Sequence, residues 1–183
     1  KRGKMPYPVT HILVAVILVE LFRKYYIKDN KKFPRYYILI AAIGGILPDL
    51  DIGLFYILYF FGYTLEQIHR TFMHSLFIPV ILGFAGIFIS KISIKSPELR
   101  KRHIKIPVIF FILSIGSFVH IVLDLIPGTA TIFYPIINTS IGLNVLGNLP
   151  SVFEYLILPS IDGILLIFWF FWMEFKLKIN EYF

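Results

Sequence analysis

Apolar residues gather in this chain into five long blocks, at about 8–27, 36–61, 74–94, 106–126 and 152–173. Each approaches or exceeds the ~20 residues that an α-helix needs to cross a hydrocarbon core. The pattern predicts an all-α integral membrane protein: a bundle of about five transmembrane helices forming a single domain over 1–183. At ~1.5 Å per residue the second block is too long for one straight crossing of a ~30 Å core. It contains Gly44, Gly45 and Pro48, so the second helix is expected to break near Pro48, with the freed backbone groups packed inside the bundle. Pro159 and Asp162 predict an interruption in the fifth block.

Composition sharpens the class. Hydrophobic residues make up 57% of the 183 and charged residues only 16%, too little polar surface for a soluble domain of this size. Cysteine is absent, which excludes disulfides and thiolate metal ligands. The first residues resemble a signal peptide, but the apolar run ends in Glu20-Leu21-Phe22-Arg23, with no small-residue cleavage site, and a retained first span is expected.

The net charge of +7 is unevenly placed. The first and third connections and the C-terminal tail hold fourteen Lys and Arg residues, against four on the opposite side, and residues 127–151 carry no charge. This asymmetry predicts a cytoplasmic C-terminus and an N-terminus outside. The basic loops read as topology signals and contacts for anionic headgroups, so membrane lipids are expected partners and nucleic acid is not.

Ionisable side chains inside spans are costly and mark function by default. Here they are His11, Glu20, Asp49, Asp51, His120, Asp124 and Asp162, with His69 and His74 just before the third block. Counting from the basic side, Asp49 stands ~20 Å up its span and His120 ~21 Å. His11 begins its span from the opposite side, so these groups reach similar heights at the extracytoplasmic face. His120 and Asp124 are four apart and share one helix face. Pro48-Asp49-Leu50-Asp51 reads as a helix restart, in which the carboxylates either cap the half-helix or, one of them, serve as a ligand. His69 and His74 are five apart, so a break is needed between them if both face one centre, and Thr64-x-x-Gln67 forms a capping box ahead of them.

An Asp at mid-span costs ~2.5–3.5 kcal/mol on insertion scales. Three such carboxylates need protons or a cation, and the neighbouring imidazoles favour a divalent metal. Mixed nitrogen and oxygen ligands suit zinc, one or two ions, better than magnesium or calcium. Glu20 and Arg23 are expected to pair, and Asp162 either reaches the outer cavity or serves helix packing and capping.

In this order the residues resemble the membrane-bound metal-dependent hydrolases, also described as inner-membrane, LexA-binding hydrolases. The likeness rests on His11, Pro48-Asp49-Leu50-Asp51, His69-Arg70, His74-Ser75 and His120-x-x-x-Asp124, and covers residues 6 to about 136. That family is grouped with zinc-dependent phospholipases C and zinc nucleases. The resemblance implies His11, one of Asp49 and Asp51, His74, His120 and Asp124 as ligands. Asp51 is taken as the ligand and Asp49 as a catalytic base, with Arg70 holding a phosphate oxygen and His69 passing a proton or adding a ligand. The chain departs from the family at Thr71, where Gly is usual, and at Leu125-Ile126-Pro127-Gly128, where Thr-x-x-Gly is usual. The implied activity is hydrolysis of a phosphoester in a lipid or small molecule. The alternatives are metal or proton transport, and a metal site that serves stability alone.

Overall fold

The computed structural model describes residues 8–28, 33–69, 71–95 and 105–177. Among them the chain is helical throughout, apart from connections and one isolated antiparallel bridge between Ala130 and Ile141. The helices are α1 (Pro8–Leu21), α2 (Tyr36–Ile46), α3 (Leu50–Leu58), α4 (Leu65–Ile68), α5 (Phe77–Lys95), α6 (Ile106–Leu125) and α7 (Ser151–Leu177). A π-helical stretch, Phe22–Ile27, continues α1, and a 3₁₀ turn, Tyr59–Phe61, continues α3.

By length and hydropathy, Ile106–Leu125 and Leu156–Met173 can each cross a membrane, and the bent pair α2–α3 makes a third span if counted as one. The apolar part of α5, Phe77–Ile92, is shorter. The expected all-α membrane fold is therefore present, while the count of about five spans is matched only roughly.

The second apolar block breaks where expected. Tyr36–Ile46 and Leu50–Phe61 meet at 49° across Leu47, Pro48 and Asp49. The fifth block does not break. Pro159 lies inside a continuous α7 on an exposed face, where its ring forfeits a hydrogen bond without displacing a neighbour.

Glycine explains how α1, α2 and α6 meet. A Cβ on Gly116 would stand 2.6 Å from the carbonyl carbon of Gly44, and one on Gly45 would stand 2.6 Å from the carbonyl oxygen of His11. Only hydrogen at these positions lets the three backbones touch, which is how helices pack where lipid offers no hydrophobic drive for association. Below this crossing, Val19, Phe33, Tyr37, Ala41 and Ile112 form an apolar core, and the Tyr37 hydroxyl accepts the Lys105 N–H at 3.0 Å. Above it, Ala130 and Ile132 of the 126–150 connection pack on Ile121, and Leu76 N–H donates to the Ile132 carbonyl.

Two polar residues flagged in the sequence have structural roles. Glu20 takes a two-pronged bond from Arg23, at 2.8 and 2.9 Å, with both residues buried. Asp162 of α7 accepts from the backbone N–H and the hydroxyl of Thr10, capping the start of α1 from a neighbouring helix. Asp162→Ala is expected to lower unfolding free energy by about 1–2 kcal/mol through loss of that cap. The loss should appear as a lower melting temperature in detergent, with Asp162→Asn nearer the parent because it keeps an acceptor.

The α3–α4 hairpin stands apart from the bundle. Only Asp51 of α3 is buried, while Tyr56 and Phe60 are 68% and 86% exposed. No charged residue occurs from Ile52 to Leu65. Gly62, at φ +86°, makes the turn back. Thr64 then opens α4, its N–H donating to Gln67 Oε1 at 2.8 Å as the capping box predicts.

Candidate metal centre

Each local break delivers a side chain to the same place. His11 comes from the first turns of α1, and Asp49 and Asp51 from the bend that Pro48 imposes. His69 ends α4 in extended conformation, and the turns from Thr71 to Leu76 bring His74 back before α5 begins at Phe77. The break between the two histidines is therefore present. His120 and Asp124 lie one turn apart on α6.

The contacts divide into an inner group and an outer one. Inside, His120 Nε2 and His74 Nε2 lie 3.3 Å apart. Asp49 Oδ1 is 3.4 Å from His74 Nε2 and 3.5 Å from His120 Nε2. Asp124 Oδ2 is 3.5 Å from His74 Nε2 and 3.6 Å from His120 Nε2, while its Oδ1 is 3.4 Å from His11 Nε2. The rings of His11 and His120 stack at 3.8 Å. Outside, Asp51 accepts from His69 Nδ1 at 2.8 Å and from His74 Nδ1 at 3.1 Å.

Hydrogen bonding sets the tautomers. The Gly45 carbonyl can only accept, so His120 Nδ1 donates to it at 2.7 Å, leaving a lone pair on Nε2 of the neutral ring. Asp51 does the same for His74, whose Nε2 is likewise a lone pair when the ring is neutral. Two imidazole lone pairs and two carboxylates thus face one another. Neither oxygen of Asp124 has a hydrogen-bond partner, although the residue is fully buried. An arrangement rich in acceptors and poor in donors fits a cation. Among the described residues, three sets of ligand atoms are each close enough to hold one ion: His11, His120 and Asp124; Asp49, His74 and His120; and Asp51, His69 and His74.

Access is one-sided. His74, His120 and Asp124 are wholly buried, whereas the side chains of Asp49 and His69 are 14% and 10% exposed. The edge that reaches the outside therefore carries both Asp49 and His69. Arg70, the expected phosphate contact, lies outside the described residues.

Seven of the sequence-derived residues, His11, Asp49, Asp51, His69, His74, His120 and Asp124, are thus brought together. The Gly45 carbonyl and the contact of Gly116 with Gly44 carry no ionisable group and do not stand out in the sequence. The visible signal was a pair of small residues in each helix, Gly44-Gly45 and Gly116-Ser117.

The fold and the cluster define an all-α membrane protein with buried His and Asp groups able to hold a metal ion. The chain belongs to the YdjM inner membrane protein family, whose model matches residues 5–178. No curated protein and no solved structure matches it.

Proposed function

We propose that this protein is a membrane-embedded, metal-dependent hydrolase of a phosphoester, such as a lipid headgroup, with its site at the extracytoplasmic face. The observation that carries the metal is Asp124, a buried carboxylate with no donor on either oxygen, set between three imidazole nitrogens. The hydrolytic part rests on the ordered motif resemblance and on the loop charges that set the site at the headgroup level of the outer face.

The ligands in this reading are His11, Asp49, His74, His120 and Asp124, a nitrogen and oxygen set suited to zinc. Asp49 thereby takes the ligand place expected for Asp51, and Asp51 supports two histidines rather than serving as a ligand or a base. Asp49 aims at the inner nitrogens, while Asp51 holds the outer nitrogens of His69 and His74. A carboxylate behind a ligating histidine fixes ring orientation and raises ligand basicity.

His11, Asp49, His74, His120 and Asp124 would hold a divalent ion, which would supply a lowered water pKa and polarisation of a phosphoryl oxygen. The chain's own residues manage the protons. His69 keeps its Nδ1–H on Asp51, so its buried and otherwise unpartnered Nε2 takes a proton from water and returns it to the leaving group. Arg70, next in sequence, holds a phosphate oxygen in this scheme.

Transport is the weaker reading. Glu20 is the ionisable group of the opposite half that a relay would use, and it is committed to Arg23.

The test is release of a phosphorylated headgroup, or cleavage of a model phosphodiester, by purified metal-replete protein. Asp51→Asn is expected to weaken metal affinity by ~10–100-fold, as loss of such supporting carboxylates does, measured by competition with a chelating dye. A metal-replete protein that cleaves no lipid or model phosphoester overturns the enzymatic reading.

A further inference from the structure

Helix lengths set the height of the metal centre in the bilayer. The apolar part of α5, Phe77–Ile92, ends at the basic inner connection and spans ~24 Å, short of a ~30 Å core. Its outer end therefore starts ~6 Å beneath the outer boundary, and tilt only deepens it. His120 stands ~21 Å up α6 from the same inner side, ~9 Å beneath that boundary. The opening at Asp49 and His69 thus lies inside the outer leaflet.

What stands further out has no charge for water to solvate. No charged residue occurs from Ile52 to Leu65, nor from Leu125 to Phe153 in the second outer connection. The charged residues of the first, Glu66 and Arg70, come after Leu65 in the sequence. α3 leaves the site at Asp51 and rises at 49° to α2, so its run of ~15 Å to Phe61 gains ~10 Å in height. That closes the remaining distance and brings Tyr59 and Tyr63 to the headgroup level that tyrosine favours. Leu50, beside Asp49, Leu54 on α3, and Phe72, between the two histidines, are all exposed. The rim of the opening is apolar at these positions and continuous with the lipid-facing surface of α3.

We propose that the opening faces lipid and that the molecule it admits is a membrane phospholipid, entering sideways from the outer leaflet with its acyl chains along α3. A water-soluble phosphoester would have to shed hydration to cross the same uncharged rim, which costs free energy. A phospholipid arrives with its chains already in hydrocarbon and its phosphoester close above the site. The choice of a phosphoester as substrate rests on the hydrolase reading; the path of entry does not.

The sequence has no cysteine, so a single one marks one place. Full-length protein carrying a nitroxide at Leu54→Cys, Phe72→Cys or, as a control at the inner surface, Lys105→Cys is reconstituted in vesicles of phosphatidylglycerol and phosphatidylcholine. Oxygen, which gathers in hydrocarbon, is expected to relax the labels at Leu54 and Phe72 at least threefold more than a water-soluble nickel chelate does. The label at Lys105 should show the reverse. Tyr56→Cys replaces Leu54→Cys if that variant loses its helical circular dichroism. Turnover by the metal-replete parent is then compared between a long-chain phospholipid in vesicles and a water-soluble phosphodiester with the same headgroup, and the lipid should have the higher kcat/KM by at least tenfold. Labels that face lipid in a protein that cleaves neither ester uphold the path and remove the hydrolase reading. Nickel-accessible labels at Leu54 and Phe72, spin–spin broadening at Leu54 that puts a second copy on α3, or faster cleavage of the soluble ester each overturn the proposal.

Discussion

Asp124→Asn is expected to strip bound divalent metal from the purified protein and reduce phosphoester cleavage to the level of a chelated control. The substitution keeps the shape of the side chain and removes its charge. In the parent, both oxygens of Asp124 are buried without a hydrogen-bond partner and face His11, His74 and His120. Asp124 completes the set with His11 and His120 and also stands 3.5 Å from His74 Nε2, so its loss removes one inner ligand set and weakens the charge balance of the other. Stability should follow occupancy. Ligand at a hundred times its dissociation constant stabilises the folded state by ~2.7 kcal/mol. For a chain of this size that corresponds to a melting temperature higher by roughly 5–10 °C. Zinc should raise the melting temperature of the parent and leave Asp124→Asn unmoved. Elemental analysis gives the decisive reading: equal metal in parent and variant, or none in either, leaves Asp124 as an ion-pair partner of the histidines and nothing more.

Gly116→Val should be the most damaging substitution outside the cluster. Its Cβ would sit 2.6, 2.7 and 2.9 Å from the Gly44 carbonyl carbon, the Gly44 Cα and the Gly45 nitrogen, all backbone atoms that cannot swing aside. Overpacking of this kind costs ~1–3 kcal/mol. To relieve it, α2 must move away from α6, and the 2.7 Å bond from His120 Nδ1 to the Gly45 carbonyl goes with it. The variant is therefore expected to lose metal affinity together with stability, although it touches no ligand. Gly53→Ala is the counter-test. Nothing lies within 4 Å of the position its Cβ would take. Removing a helix glycine there should stabilise by about 0.5–1 kcal/mol. Unfolding titrations in mixed micelles should give opposite signs for the two variants. Equal behaviour would show that the α2–α6 crossing tolerates side-chain bulk.

Much of this was legible because hydrocarbon makes polar residues conspicuous. His11, Asp49, Asp51, His120 and Asp124 stand out in apolar blocks, and rise per residue placed them at one height before any contact was known. The break between His69 and His74 followed from the 140° that a continuous helix would put between them. Other features followed from geometry that spacing does not carry. Around Pro48 the backbone leaves regular helix, so spacing could not say that Asp49 turns inward while Asp51 turns to His69 and His74. Gly44 and Gly45 read as helix breakers, yet both also serve as contact surfaces, which depends on the facing helix. Pro159 implied an interruption that α7 does not have. Asp162 found its partner, Thr10, at the far end of the sequence.

The uncharged stretch from Ile52 to Leu65, within the α3–α4 hairpin, has a consequence for how this protein can vary. From Ile52 to Phe61 no side chain is buried, so few of them have a partner whose shape they must match. Replacing one oily residue there with another leaves folding nearly indifferent, whereas introducing a charge changes how deeply the hairpin settles in its surroundings. Drift in that stretch is thus governed by solvent rather than by neighbours. A few residues away, at Asp51, tolerance ends abruptly.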